Sequence, residues 1–247
     1  MIRRMIDACA FIGESLYGNS VTVEEQIAKM DAKGIEKAIV RPHKPCDYNY
    51  DKANQLLGEM VAKYAGRLAG FGRVNPLEKT ASDQVAKLRG YGLCGLHLHP
   101  WEDNFMINDP KVDPTIEACR QAGLPVYVST GYMCVSEAFQ LLELAMRFPD
   151  VTFFATHGGQ LDISGLSFDD VVFMAKRAPN VKYDLSGVYR RDFIELLIQS
   201  AGEDNVVFGS CEPYMDYGLE IARIEAAEIP DEWKEKLFAA NIETLLG

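Results

Sequence analysis

The chain has 247 residues, 48% of them apolar, and a formal charge of −11 at pH 7. That composition fills one sizeable core, and the length is common for a single eight-unit α/β barrel. An acidic excess without a basic block argues against nucleic acid or an anionic membrane surface as the main partner, leaving a small-molecule substrate and, as an open addition, a homo-oligomer.

Short apolar runs alternate with longer amphipathic segments along the whole chain. Residues 5–11 predict the first strand, and a helix follows over 23–33. Gly34 ends that helix, because glycine accepts the left-handed cap conformation. Strand two is predicted at 37–41 and helix two at 50–64, with Ala53, Leu56, Leu57, Met60 and Val61 on one stripe. Strand three (68–74), helix three (80–89) and strand four (94–98) come next. A loop over 100–112 carries Trp101, Phe105 and Met106; loops of that length often cover a substrate, and packing against outer helices is the alternative. Helix four spans 113–121, and Gly123 marks its end. Strands at 125–129, 151–156, 181–185 and 206–209 then alternate with helices at 136–147, 168–176 and 192–199. Helical stretches at 217–227 and 231–246 close the chain.

Eight β-then-α units without a compositional break predict an α/β fold: one domain over 1–247, a (β/α)8 TIM barrel. No GxGxxG follows the first strand and no P-loop motif is present, which weakens the nucleotide-binding open sheet as competitor. The first apolar run is too short for a signal-peptide core or a membrane span, and the six cysteines form no CxxC pair. The expected location is therefore cytoplasmic, with reduced thiols.

Barrel chemistry sits where strands end. The four histidines, His43, His97, His99 and His157, all lie at or beside predicted strand ends. Histidine titrates near neutrality and also binds metals, so the clustering suits either use. For any one of them, a hydrogen bond to a loop is an equally good explanation; for all four together it is a poor one. Strand alternation puts Asp7, Cys9 and Phe11 on one face.

The segments MIDACAFIG, GLHLHPW, LPVYVSTG, FPDVTFFATHGGQ, VKYDLSG, NVVFGSCEPYMD and ANIETLLG occur in this order. Through them the chain resembles the amidohydrolase-related family, which includes aminocarboxymuconate-semialdehyde decarboxylase and related decarboxylases, hydratases and lactonases. The resemblance implies a metal site of three histidines and an aspartate, but Cys9, Phe11, Ser129 and Cys211 stand at those positions. It also implies that His157 is the family's acid–base histidine and that His99 belongs to the strand-four segment. The expectation is thus a hydrolase or lyase on a small organic acid with no cofactor and His157 as general acid or base. Arg41, Arg73, His97, His99, Trp101 and Ser129 are candidates for holding the substrate, and Cys211 is a candidate nucleophile or merely a small filler. A rebuilt zinc site of Cys9, His97, His157 and Cys211 is one alternative. A Cys9–Cys211 disulfide and a catalytically silent binding or assembly barrel are others.

Overall fold

The computed structural model describes residues 4–161 and 165–246; positions 1–3 and 247 of the predicted domain lie outside them. Thr22 and Glu25 form a reciprocal capping box at the start of α1 (Val23–Lys33), and Gly34 closes it at φ 71°. β1 (Ile6–Ile12) enters this unit and β2 (Lys37–Pro42) leaves it. The pattern repeats through α2 (Tyr50–Lys63), β3 (Leu68–Arg73), α3 (Ala81–Lys87) and β4 (Gly95–Leu98). The short α4 (Pro100–Asp103) precedes α5 (Asp113–Ala122), β5 (Val126–Val128), α6 (Ala138–Arg147) and β6 (Phe153–Ala155). Then come α7 (Gly165–Ala175), β7 (Val181–Asp184), α8 (Arg191–Ala201), β8 (Val206–Val207), α9 (Tyr217–Glu225), α10 (Asp231–Glu235) and α11 (Asn241–Leu246).

The eight strands form one parallel sheet in the order β1 to β8. The ring closes between β8 and β1: Ala8 N donates to Phe208 O at 2.9 Å, Cys211 N to Cys9 O at 2.6 Å, and Phe11 N to Glu212 O at 2.8 Å. The architecture is the predicted (β/α)8 barrel. Among the described residues no helix is long and apolar enough to cross a membrane.

Two apolar layers hold the fold. Ile6, Ala8, Ile39, Phe71, Tyr127, Phe154 and Val207 fill the barrel. A larger layer lies between strands and helices, including Val40, Leu96, Leu98, Leu141, Val171 and Leu197. Burying each Val, Leu, Ile or Phe side chain among them contributes about 1.5–3 kcal/mol.

Several local expectations need correction. β1 carries a register shift between Asp7 and Ala10. Ala8, Cys9 and Phe11 all belong to the inner layer, so the bulge returns Cys9 and Phe11 inward and leaves Asp7 off their face. Predicted helix three ends early, and a 3-10 turn takes over from Leu88 to Tyr91. The last stretch is interrupted by a π turn at Lys236–Ala240. The expected loop after strand four contains α4 and a 3-10 turn at Pro110–Val112. Within it Phe105 joins the outer core, whereas Trp101 stays 60% exposed and stacks on Tyr132.

Candidate active site at the barrel mouth

The strand ends bring together most of the predicted set. Cys9, Arg41, His97, Ser129, His99, His157 and Cys211 are all buried. Phe11 is their hub: its ring stacks on His43 (5.4 Å), meets His97 edge-on (5.6 Å) and touches Tyr214 (5.5 Å).

Arg41 is wholly buried beneath this cluster. Its guanidinium lies over the Tyr127 ring at 3.8 Å and near Phe11 at 5.5 Å. Nη2 donates to Ala8 O at 2.7 Å, while Nε and Nη1 have no partner. A buried cation normally has a hydrogen-bonded counter-charge. Arg73 differs: it donates to Asp103 at 2.9 and 3.1 Å and to Glu102 at 2.7 Å, so two carboxylates meet its charge and Nη1 alone is unpaired.

His157 sits in the turn after β6 in a left-handed conformation, φ 57° and ψ 30°, uncommon for a non-glycine residue. Neighbouring strand ends hold that turn. Thr130 Oγ1 donates to Thr156 O at 2.6 Å, and Thr130 N donates to Thr156 Oγ1 at 3.0 Å. Gly131 permits the approach, since a Cβ there would stand 2.0 Å from Leu161 N. His157 Nδ1 lies 2.9 Å from the Ser186 carbonyl, which can only accept, so Nδ1 carries the proton. Ser186 is held in turn by Asp184, through N to Oδ1 at 2.7 Å and Oγ to Oδ2 at 3.1 Å. Asp184 fits because Gly209 has no side chain: a Cβ there would lie 2.1 Å from Oδ1.

Burial pushes the proton affinity of all four histidines down. For His43 it falls to about 4, with the Arg73 charge adding to the effect. At His157 the Asp184 carboxylate and the Ser186 hydrogen bond oppose the burial penalty without cancelling it. The mouth therefore combines neutral imidazoles with one under-partnered cation.

The other candidates are partly partnered, His97 keeping an unpaired Nδ1. His97 Nε2 lies 2.9 Å from Ser129 Oγ. His99 Nδ1 accepts from Glu102 N at 3.3 Å and so caps α4. Cys9 and Cys211 are free thiols on adjacent strand ends, and burial followed by a hydrogen bond to Cys211 raises the Cys9 thiol's affinity for its proton. Asp184, Ser186, Tyr127 and Tyr214 join the site without having been singled out by sequence pattern. The Asp184-x-Ser186 spacing at a strand end is the signal that was available for two of them.

A family model described as Amidohydrolase matches residues 43–247. No curated protein matches the chain. Among solved structures, 5-carboxyvanillate decarboxylase from Sphingomonas paucimobilis is similar at 17% identity and TM-score 0.79, with 98% of each chain covered. The enzyme of that name from Novosphingobium aromaticivorans, complexed with manganese and 4-hydroxy-3-methoxy-5-nitrobenzoic acid, gives 18% identity and TM-score 0.82, covering 99% of this chain and 96% of that one. Dihydroxybenzoic acid decarboxylase from Polaromonas sp. JS666, with bound manganese and 2-nitroresorcinol, gives 14% identity and TM-score 0.78, covering 99% and 97%. These identities show a shared fold.

The manganese bound in the Novosphingobium and Polaromonas structures overturns the expectation of no cofactor. The residues of this chain do not reproduce a ligand set for it: among the described residues no three His, Cys, Asp or Glu side chains are placed to hold a metal ion. Cys9, His97, His157 and Cys211, the alternative zinc set, do not form such a group among the described residues. Phe11 has no donor atom; His97 Nε2 meets Ser129 Oγ and His99 Nδ1 meets the α4 backbone, which leaves one ring nitrogen on each.

Proposed function

This chain belongs to the amidohydrolase family, and we propose that it is a lyase or hydrolase acting on a small aromatic acid, with Arg41 holding the acid group and His157 moving the proton. The observation that carries this reading is the Arg41 guanidinium: it is fully buried, and two of its nitrogens lack partners. Asp184 already opposes the Arg41 charge through space, and a bound carboxylate would supply an acceptor to one of the two unpartnered nitrogens. The surrounding rings of Phe11, Tyr127 and Tyr214 favour an aromatic body. The similar decarboxylases, two of them carrying nitrated aromatic ligands, support that class.

His157 supplies the acid–base function. Its Nδ1–H is committed to Ser186 O, so Nε2 is the basic atom, and burial keeps the ring neutral and ready to accept. It would take a proton from a substrate hydroxyl or a water and return it later, worth about 10²–10⁴-fold in rate. Asp184 and Ser186 act through His157 by fixing its tautomer.

The test is a panel of hydroxylated benzoates and small aromatic lactones assayed for carbon dioxide release and for ring opening. Turnover of a member, lost in His157→Gln with the fold intact by circular dichroism, is the expected result. Turnover that survives His157→Gln would remove His157 from its role.

A further inference from the structure

A groove of about 800 Å³ runs beside the mouth, between α1, α2 and the loops after β1 and β2. Its walls are mainly apolar: Ile12, Val21, Pro42, Ala53, Leu56 and Met60. The predicted stripe on α2 in fact divides in two. Leu57 and Val61 enter the core, whereas Leu56 is 43% exposed and Ala53 and Met60 are half-buried along the groove. The rim carries Glu14, Glu24, Glu25 and Asp47; Asp47 pairs with Lys52 at 3.1 Å and Glu24 with Lys63 at 2.6 Å, while Glu25 accepts from Thr22 N and Oγ1, so the excess negative charge rests on Glu14 and Glu25. His43 lines the groove as well. It is 4% exposed; Nδ1 is 3.0 Å from Tyr214 Oη, and the buried Nε2 has no partner.

We propose that this groove is a second ligand site, distinct from the acid-binding mouth, for a small aromatic or aliphatic amine. The apolar walls take the hydrocarbon body, as is usual for small-molecule sites. The excess negative charge of Glu14 and Glu25 attracts the ammonium group and repels an anion. Nε2 of His43 supplies an unmet acceptor when Nδ1–H donates to Tyr214 Oη. Because His43 also stacks on Phe11, a ligand here touches the wall of the mouth without occupying it.

Cys46 gives a direct reporter, since it is exposed and lines the groove, while the exposed Cys134 lies elsewhere and serves as control. The probes are phenethylamine and phenylacetate, similar in body and opposite in charge. Alkylation of both cysteines by iodoacetamide is followed by peptide mass spectrometry on the intact folded protein. Phenethylamine at twice its Kd is expected to slow Cys46 about threefold, the factor 1 + [L]/Kd, and to leave Cys134 unchanged. Phenylacetate is expected to leave Cys46 unchanged even if it binds at the mouth. Ala53→Phe fills the groove and abolishes protection, and Glu14→Lys, an exposed change, weakens it. Absence of protection, equal protection by both probes, or protection undiminished in Glu14→Lys would overturn the proposal.

Discussion

His43, His97, His99 and His157 hold their protons weakly because burial penalises the imidazolium. For His157 the sign has a catalytic consequence: the competent base is the neutral ring, so activity is full above the lowered value and falls as pH drops through it. We predict kcat/KM to be level from about pH 6.5 upward and to decline below the ordinary histidine range. An acid limb centred at pH 7 or above would contradict this. Arg41→Met separates binding from structure. Removing a buried, under-partnered cation is expected to be neutral or stabilising to the fold, while KM rises at least about tenfold. A loss of several kcal/mol in denaturant unfolding would show instead that Arg41 is structural. The histidine cluster was legible in the sequence because strand ends can be placed by periodicity. The difference between Arg41 and Arg73 was not, since it depends on which acids α4 brings to Arg73.

β1 and α4 show how an element decides what its residues do. Without the bulge, alternation would have placed Asp7 in the mouth; with it, Asp7 ties β1 to β8 and α9. Its carboxylate accepts from Ser210 Oγ at 2.6 Å, Ser210 N at 2.8 Å and Tyr217 Oη at 2.8 Å. Burial outweighs these bonds and raises its proton affinity to about 7. A raised acid favours the fold below the unfolded carboxyl value, and that contribution is lost as pH rises through about 7. His43 works in the opposite direction, its contribution being present above the unfolded histidine value and lost as pH falls to about 4. Asp7→Asn is therefore expected to gain on the wild type between pH 4 and pH 7, by up to about 4 kcal/mol, in urea unfolding at each pH. A constant difference would contradict the raised value. His99 presents a smaller case: as the cap of α4 it should cost about 1 kcal/mol when replaced by alanine and much less when replaced by serine. Neither the bulge nor α4 announces itself in periodicity, because each spans too few residues to establish a period.

At the scale of the whole molecule, the barrel was the most legible feature. Eight units repeat one physical rule, and parallel strands need helical crossovers. Closure through Cys9–Cys211 and Phe11–Glu212 backbone bonds agrees with the neighbouring thiols expected from the strand count. The cofactor expectation failed because single substitutions at ligand positions say what this chain lacks, whereas the manganese was visible only in other molecules of this fold. The groove was illegible because it depends on how far α1 and α2 stand apart. The central claim, that Arg41 and His157 make the mouth a site for a small aromatic acid, is tested most directly by calorimetric titration. Hydroxylated benzoates would be titrated into wild type, Arg41→Met and His157→Gln. Binding to wild type and His157→Gln is expected, with at least about tenfold weaker binding to Arg41→Met; equal affinity for all three proteins, or none for wild type, would rule out Arg41 as the acid-holding group.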